Sequence, residues 1–66
     1  MKNNKYIYLF VIQGYYAPGY GWEDVYSSDD RLDARARWHE YRQNEPDYPH
    51  RVIMRREPNP DYQVQS

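Results

Sequence analysis

Five carboxylates that could act as general acids or bases lie close together along the chain: Glu23, Asp24, Asp29, Asp30 and Asp33. Two of them brought together could form an acid/base pair, although helix capping and solubility explain most of them. Ser27 and Ser28 have no histidine nearby in the sequence, and there is no cysteine nucleophile. No glycine-rich segment leads into a helix start, as phosphate-binding loops do. We therefore predict a non-enzymatic protein with no catalytic residues and no cofactor.

The two histidines, His39 and His50, are the remaining candidate metal ligands. His39 falls on a polar flank of a predicted helix and His50 opens a strand after a turn, so we interpret both as solvated and predict no metal site. The absence of cysteine fits a reducing compartment and predicts a cytoplasmic protein. The apolar run from Ile7 to Ile12 is too short for a signal peptide or for a membrane span, which needs about 20 residues.

Tyrosine is the residue type that points to binding. Aromatic residues make up 18% of the chain and nine of them are tyrosines, more than so small a core encloses, and tyrosine is enriched in interfaces. Three tyrosines fall in the glycine-rich segment 14–21. They predict a protein-binding site that includes the acidic strand after them: Tyr15, Tyr16, Tyr20, Glu23 and Asp24. The alternative is that these rings fold back and cap the edge of the core.

The alternative function is a small nucleic-acid-binding or regulatory accessory protein that uses a surface of arginines and tyrosines. Arg51, Arg55 and Arg56 lie on one predicted strand, further arginines lie on the helix, and tyrosines on a small sheet could stack bases. The formal net charge of −1 argues against it, because nucleic-acid-binding domains carry a basic excess.

Hydrophobic periodicity and the Gly and Pro positions predict the elements: strand 5–13, hairpin loop 14–21, strand 22–27, helix 31–44 and strand 50–56. Asp30 is the predicted helix cap, and Ala34, Trp38 and Tyr41 form its buried stripe. Residues 1–57 form one predicted domain. The polar segment 58–66 is a predicted disordered tail.

The predicted fold class is α+β, a small ββαβ domain with a three-stranded antiparallel sheet in the order 2-1-3 and one helix on one face. The more apolar face is assigned to the helix: Tyr8, Phe10, Ile12, Trp22, Tyr26, Val52 and Met54. The opposite face has no cover within the monomer, which predicts self-association, as a homodimer, through Ile7, Leu9, Val11, Val25 and Ile53. Alternatively, the tail or the tyrosine loop covers it. A one-residue register error would exchange residues between the faces.

Several segments together resemble a group of short proteins from phages, prophages and plasmids. The segments are Val11 to Tyr15, Gly21 to Val25, Asp30 to Arg35, Tyr41 to Pro46 and His50 to Arg56. The resemblance covers nearly the whole predicted domain and brings no catalytic or binding residues with it. Small phage proteins of this kind often inhibit or redirect host proteins, including restriction and CRISPR-type defence. The resemblance thus implies a host-protein binder in the host cytosol, possible anti-CRISPR activity included.

Overall fold

A computed structural model describes residues 4–62 of the chain. The elements are β1 (Tyr6–Ala17), β2 (Gly21–Ser28), α1 (Arg31–Asn44) and β3 (His50–Pro58). The strands form one antiparallel sheet in the order β2-β1-β3, with α1 packed against one face. The predicted ββαβ architecture and strand order are confirmed.

The β1–β2 connection is a tight turn and not the predicted eight-residue loop. The Tyr20 backbone N–H donates to the Ala17 carbonyl oxygen at 3.0 Å, which closes a four-residue turn with Pro18 at its second position. Gly21 follows with φ of +67°, a left-handed conformation that glycine adopts without strain. Tyr15 and Tyr16 are therefore strand residues, and only Tyr20 lies in the turn.

A bulge in β2 changes which residues face the helix. Tyr26 lies opposite Ile12 and Asp24 lies opposite Gln13, so Val25 is an extra residue with no partner in β1. The predicted placement of Trp22 beside Tyr26 is therefore wrong. Beyond the bulge the alternation of faces is inverted.

As a consequence, Trp22 lies opposite Tyr15 on the face away from α1, with their ring centroids 5.4 Å apart. Glu23 lies opposite Gly14, one residue out of phase with Trp22 and therefore on the helix side of the sheet.

The helix has the predicted bounds because its start is capped as expected. The Asp30 carboxylate accepts the Leu32 backbone N–H at 2.9 Å. Two side chains fasten the helix to the outer strands: Trp38 Nε1 donates to the His50 carbonyl oxygen at 3.1 Å, and Tyr41 Oη donates to the Val25 carbonyl oxygen at 3.3 Å. The helix therefore lies across the sheet with one contact to each edge strand.

The enclosed core is very small. Among residues 4–62, the buried apolar side chains are Val11, Ile12 and Ala34, and Gln13 is the buried polar residue. Ile12 lies under α1, whereas Val11 points to the opposite face. β1 is thus buried on both faces at its centre, as its unbroken apolar sequence predicts.

β3 continues beyond the predicted end of the domain at residue 57. Pro58 is its last residue, and Asn59 extends the pairing to the start of β1: its backbone N–H donates to the Lys5 carbonyl oxygen at 3.0 Å and its side-chain amide donates to the Asn4 carbonyl oxygen at 2.7 Å. Residues 63–66 of the predicted disordered tail lie outside the described residues.

Replacing Trp38 with alanine tests the role of the helix anchor. The substitution removes an apolar ring and the bond to the His50 carbonyl, and we expect it to lower the free energy of unfolding by about 3 kcal/mol. Urea denaturation followed by far-UV circular dichroism measures the change. Leu32→Ala is the control, because Leu32 lies on the same helix with 76% of its surface exposed; a loss as large as that of Trp38→Ala would contradict the assignment.

Candidate partner-binding site

The three tyrosines predicted to bind a partner have three different environments. Tyr20 is 80% exposed at the tip of the hairpin. Tyr15 is half-buried and packs edge-on against Trp22. Tyr16 turns back over Gly14 and contacts β3 and the helix end. Of the three, Tyr20 is the side chain free to contact a partner, while Tyr16 caps the edge of the core.

Tyr16 belongs to a hydrogen-bonded cluster with Glu45 and His50. The Tyr16 hydroxyl donates to Glu45 Oε1 at 2.6 Å, and His50 Nε2 lies 2.9 Å from the same oxygen and 3.1 Å from the hydroxyl. The Tyr41 ring stacks on the imidazole with a centroid distance of 5.4 Å. The His50 side chain is completely enclosed, so its interpretation as a solvated histidine is wrong. His39 is exposed, as expected.

The cluster shifts the pKa values of two of its members. Burial, together with the hydrogen bond to the Glu45 carboxylate, raises the pKa of Tyr16 to about 12. The same hydrogen bond lowers the pKa of Glu45, because it favours the ionised carboxylate. Tyr16 thus remains a hydrogen-bond donor and Glu45 a charged acceptor at neutral pH.

The His50 ring is held inside this cluster. The tautomer with its proton on Nε2 donates to Glu45, and Nδ1 is buried without a hydrogen-bond partner. Neither ring nitrogen of His50 is exposed at the surface. The cluster joins the hairpin, the helix end and β3. The cluster could not be predicted from the sequence because Tyr16 lies 29 residues before Glu45 and 34 before His50. The one local signal is Gly14, whose missing side chain leaves room for the Tyr16 ring.

A polar network crosses the sheet face that α1 leaves uncovered. Gln13 Nε2 donates to Asp24 Oδ1 at 2.8 Å, and Arg51 Nε donates to Gln13 Oε1 at 2.8 Å. Arg55 pairs with the Asp24 carboxylate, with a closest distance of 2.6 Å, and this contact lowers the pKa of Asp24. The Arg51 guanidinium also lies over the Trp22 ring, 4.2 Å from its centroid. Asp24 is therefore engaged within the sheet.

The predicted self-association residues lie around this network. Cross-strand pairing places Ile7, Leu9, Val11 and Ile53 on the uncovered face. Val11 is only 2% exposed, because neighbouring side chains cover it, and the other three are half-buried. Val25 is half-buried in the bulge, outside the regular pairing. The face thus presents an apolar strip interrupted by charged groups.

The arginines of the predicted nucleic-acid site do not form one surface. Arg51 and Arg55 lie on the uncovered face and are bound to Gln13 and Asp24. Arg56 points to the helix side, with its guanidinium 4.4 Å from the centroid of the Tyr6 ring.

The acidic stretch does not converge on one point either. Asp30 caps α1, Asp24 pairs with Arg55, and Asp33 accepts a hydrogen bond from the Tyr26 hydroxyl. That bond raises the pKa of Tyr26 and lowers the pKa of Asp33. Within residues 4–62, no three carboxylate or histidine side chains come together as a metal site requires.

A groove between α1 and β3 is a further surface, which sequence analysis did not single out. It encloses about 550 Å³, with an apolar floor that includes Phe10, Val52 and Met54, and Trp38 at the helix side. Arg31 and Arg35 of the helix line its rim. Met54 is 63% exposed and Val52 is 38% exposed. Tyr8, 56% exposed, continues the apolar surface beyond the helix start.

The Gly14→Ala and Gly19→Ala pair tests how closely Tyr16 packs over β1. A β-carbon at residue 14 would lie 2.5 Å from the Tyr16 ring, whereas one at residue 19 meets nothing within 4 Å. We expect Gly14→Ala to cost about 1–3 kcal/mol of stability by displacing the ring, and Gly19→Ala to change it by less than about 0.5 kcal/mol. Thermal or urea unfolding measures both, and equal stabilities of the two variants would contradict the packing.

Tyr16→Phe tests the electrostatics of the cluster. The pKa of Tyr16 is raised from 10.0 to about 12. Its contribution to the free energy of unfolding is therefore complete below pH 10 and is lost as the pH rises towards 12. The pKa of Glu45 is lowered, so its contribution is complete above the ordinary carboxyl pKa and is lost as the pH falls through the folded-state value. Urea denaturation at a series of pH values gives the free energy of unfolding as a function of pH. Its slope in the acidic and in the alkaline range should be smaller in Tyr16→Phe than in the unmodified protein, and unchanged in Tyr20→Phe. Unreduced slopes in Tyr16→Phe would contradict the assignment.

Comparison with protein-family models, with curated proteins and with solved structures finds no match to the chain. None of the helices among the described residues combines the length and the apolar character needed to cross a membrane.

Proposed function

We propose that this protein is a non-enzymatic binding module that attaches to a host protein in the cytosol and inhibits or redirects it. The observation that carries the proposal is the imbalance between enclosed and displayed apolar side chains. Within the described residues, three apolar residues are buried. The large hydrophobic residues that are exposed are more numerous: Tyr6, Tyr8, Tyr20, Leu32, Tyr48, Val52 and Met54. Displayed aromatic and methionine side chains are typical of protein interfaces.

The polar side chains that could act as acids or bases are hydrogen-bonded to other side chains of the same chain, which supports a binding role over catalysis. His50 and Glu45 are held in the enclosed cluster, and Asp24 is held by Arg55 and Gln13. An accessible acid and base at hydrogen-bonding distance would favour an enzyme. The resemblance to small phage and mobile-element proteins adds the biological setting of this proposal, host takeover or anti-defence.

Two surfaces are available to a protein partner. The hairpin end offers Tyr20 in the turn and the exposed Glu23 three residues further along β2. The helix side of the sheet offers the groove between α1 and β3. The uncovered face with Ile7, Leu9 and Ile53 is a third surface, which we assign to self-association.

Nucleic-acid binding is a weaker alternative. Arg51 and Arg55 bind other side chains on one face of the sheet, and Arg56 points to the other face. The three arginines therefore cannot all contact the phosphates of one nucleic-acid strand lying along a single face. Phosphate contacts would also make binding strongly salt-dependent, whereas an interface built on apolar side chains is less sensitive to salt.

Partner capture from a nuclease-treated lysate of the host tests the proposed function. Tagged protein should retain one protein in a fixed stoichiometric ratio, and this complex should survive moderate salt because apolar contacts dominate it. Size-exclusion chromatography with mass determination by light scattering measures the ratio. Capture of nucleic acid alone from a parallel lysate without nuclease, with no protein retained from the treated lysate, would contradict the proposal.

Tyr20→Ala tests whether the hairpin tip contributes to this complex. Tyr20 is 80% exposed and Leu32 is 76% exposed, so Leu32→Ala is a matched control on the outer side of the helix. We expect capture to weaken for Tyr20→Ala and to persist for Leu32→Ala. Equal capture by the two variants would mean that the hairpin tip does not contribute to binding. The groove would then be the remaining candidate surface.

A further inference from the structure

β3 forms one edge of the sheet, and alternate residues along it direct their backbone groups away from β1. The Tyr15 N–H donates to the Pro49 carbonyl and the Asn59 N–H donates to the Lys5 carbonyl. In an antiparallel ladder, hydrogen-bonded residue pairs alternate with non-hydrogen-bonded pairs. These two bonds show which pairs are hydrogen-bonded, so Arg51, Ile53 and Arg55 exchange hydrogen bonds with β1. The N–H and C=O groups of Val52, Met54 and Arg56 therefore point to the open edge.

The same three residues direct their side chains to the helix side. Val52, Met54 and Arg56 lie opposite Ile12, Phe10 and Tyr8 of β1, respectively. The free backbone edge is thus continuous with the groove, whose floor includes Val52 and Met54. A strand added at this edge would place every second side chain next to the groove.

The groove is basic. Arg31 and Arg35 contribute the charged side chains that line it, and no carboxylate lines it. Arg51 also borders the groove, but its guanidinium lies on the opposite face of the sheet. The ion pairs found in residues 4–62 involve Arg37, His50 and Arg55, so Arg31 and Arg35 have no carboxylate partner there. Because the whole chain is slightly acidic, this local excess of positive charge distinguishes the groove from the rest of the surface.

We propose that the groove and the edge of β3 bind an extended acidic segment of a partner protein, which joins the sheet as a fourth strand. This inference rests on the proposed function and names the chemistry of its partner. The backbone of the segment pairs with Val52, Met54 and Arg56. An aliphatic side chain covers Phe10 and Met54, and carboxylates on the same face of the segment pair with Arg31 and Arg35.

The charge pattern favours this occupant over two others. A second copy would bring its own β3, which carries three arginines and one glutamate, and so supplies little negative charge. A nucleic-acid strand would bring phosphates but lacks the regularly spaced amide groups that complete a β-ladder. An acidic peptide satisfies both the arginines and the free backbone groups.

A pair of blocked heptapeptides tests the inference. The probe is acetyl-Thr-Glu-Thr-Leu-Thr-Glu-Thr-amide, and the control replaces both glutamates with lysines. We expect the acidic peptide to bind at least about tenfold more tightly than the basic one. In a ¹⁵N NMR titration of the full chain, it should shift the amide signals of Val52, Met54 and Arg56 most. Equal affinities, or shifts confined to the hairpin tip, would overturn the inference.

Charge reversal on the helix identifies the arginines responsible. The double variant Arg31→Glu/Arg35→Glu should reverse the preference, so that the basic peptide binds more tightly. Arg37→Glu is the matched control, because Arg37 lies on the other flank of the same helix, near Tyr26 and Glu40. An unchanged preference in the double variant would overturn the assignment of the carboxylates to Arg31 and Arg35.

Met54→Pro and Met54→Ala separate backbone pairing from simple charge attraction. Proline removes an N–H that faces the open edge and breaks no bond to β1, whereas alanine keeps that N–H. Circular dichroism establishes that both variants are folded. Binding of the acidic peptide should be lost in Met54→Pro and retained, though weakened, in Met54→Ala; equal binding would overturn the fourth-strand geometry.

Failure of this inference can be told apart from failure of the proposed function. If the host protein is captured but the acidic peptide does not bind, the partner uses another surface and the proposed function stands. If no host protein is captured, the proposed function fails. A single-stranded oligothymidylate that shifts the groove amides in place of the peptide, or a dimer paired through β3, would overturn the acidic-segment assignment.

Discussion

The difference in length between the single helix and the central strand determines how this domain is built. The 14 residues of α1 extend about 21 Å, while the 12 residues of β1 extend about 40 Å. One such helix covers about half of one face of the sheet. The molecule is consequently elongated and thin, 51 × 27 × 12 Å, and most of its large apolar side chains cannot be enclosed within one chain.

Polar contacts compensate for the missing cover at two places. On the face opposite the helix, the Gln13–Asp24 network spans all three strands and shields Val11. At the hairpin end, where the helix stops, the Tyr16–Glu45–His50 cluster closes the edge of the core. Neither set of contacts covers the groove between α1 and β3. Within residues 4–62, this groove combines an apolar floor, arginines without a carboxylate partner and unpaired backbone groups. That combination makes the groove the surface best suited to a partner.

Local sequence signals were sufficient for the architecture, because each element has its own signal. The apolar run of β1, the Asp30 cap and the stop at Pro46 predict the elements, and a doubly apolar first strand predicts the order 2-1-3. The bulge at Val25 has no local signature, so the face of Trp22 could not be predicted. The enclosure of His50 depends on Tyr16, which is 34 residues away in the sequence, as well as on the nearby Glu45. The groove likewise arises only when α1 and β3 are placed together.

Amide hydrogen exchange along β3 tests most directly the claim that this edge is open and serves as the binding site. In the free protein the amides of Val52, Met54 and Arg56 should exchange rapidly, while those of Arg51, Ile53 and Arg55 should be protected by β1. Addition of the acidic peptide should slow exchange at the first three. Protection of all six amides in the dilute free protein would mean that the edge is already paired. Rapid exchange at Val52, Met54 and Arg56 with the peptide bound would contradict the fourth-strand account.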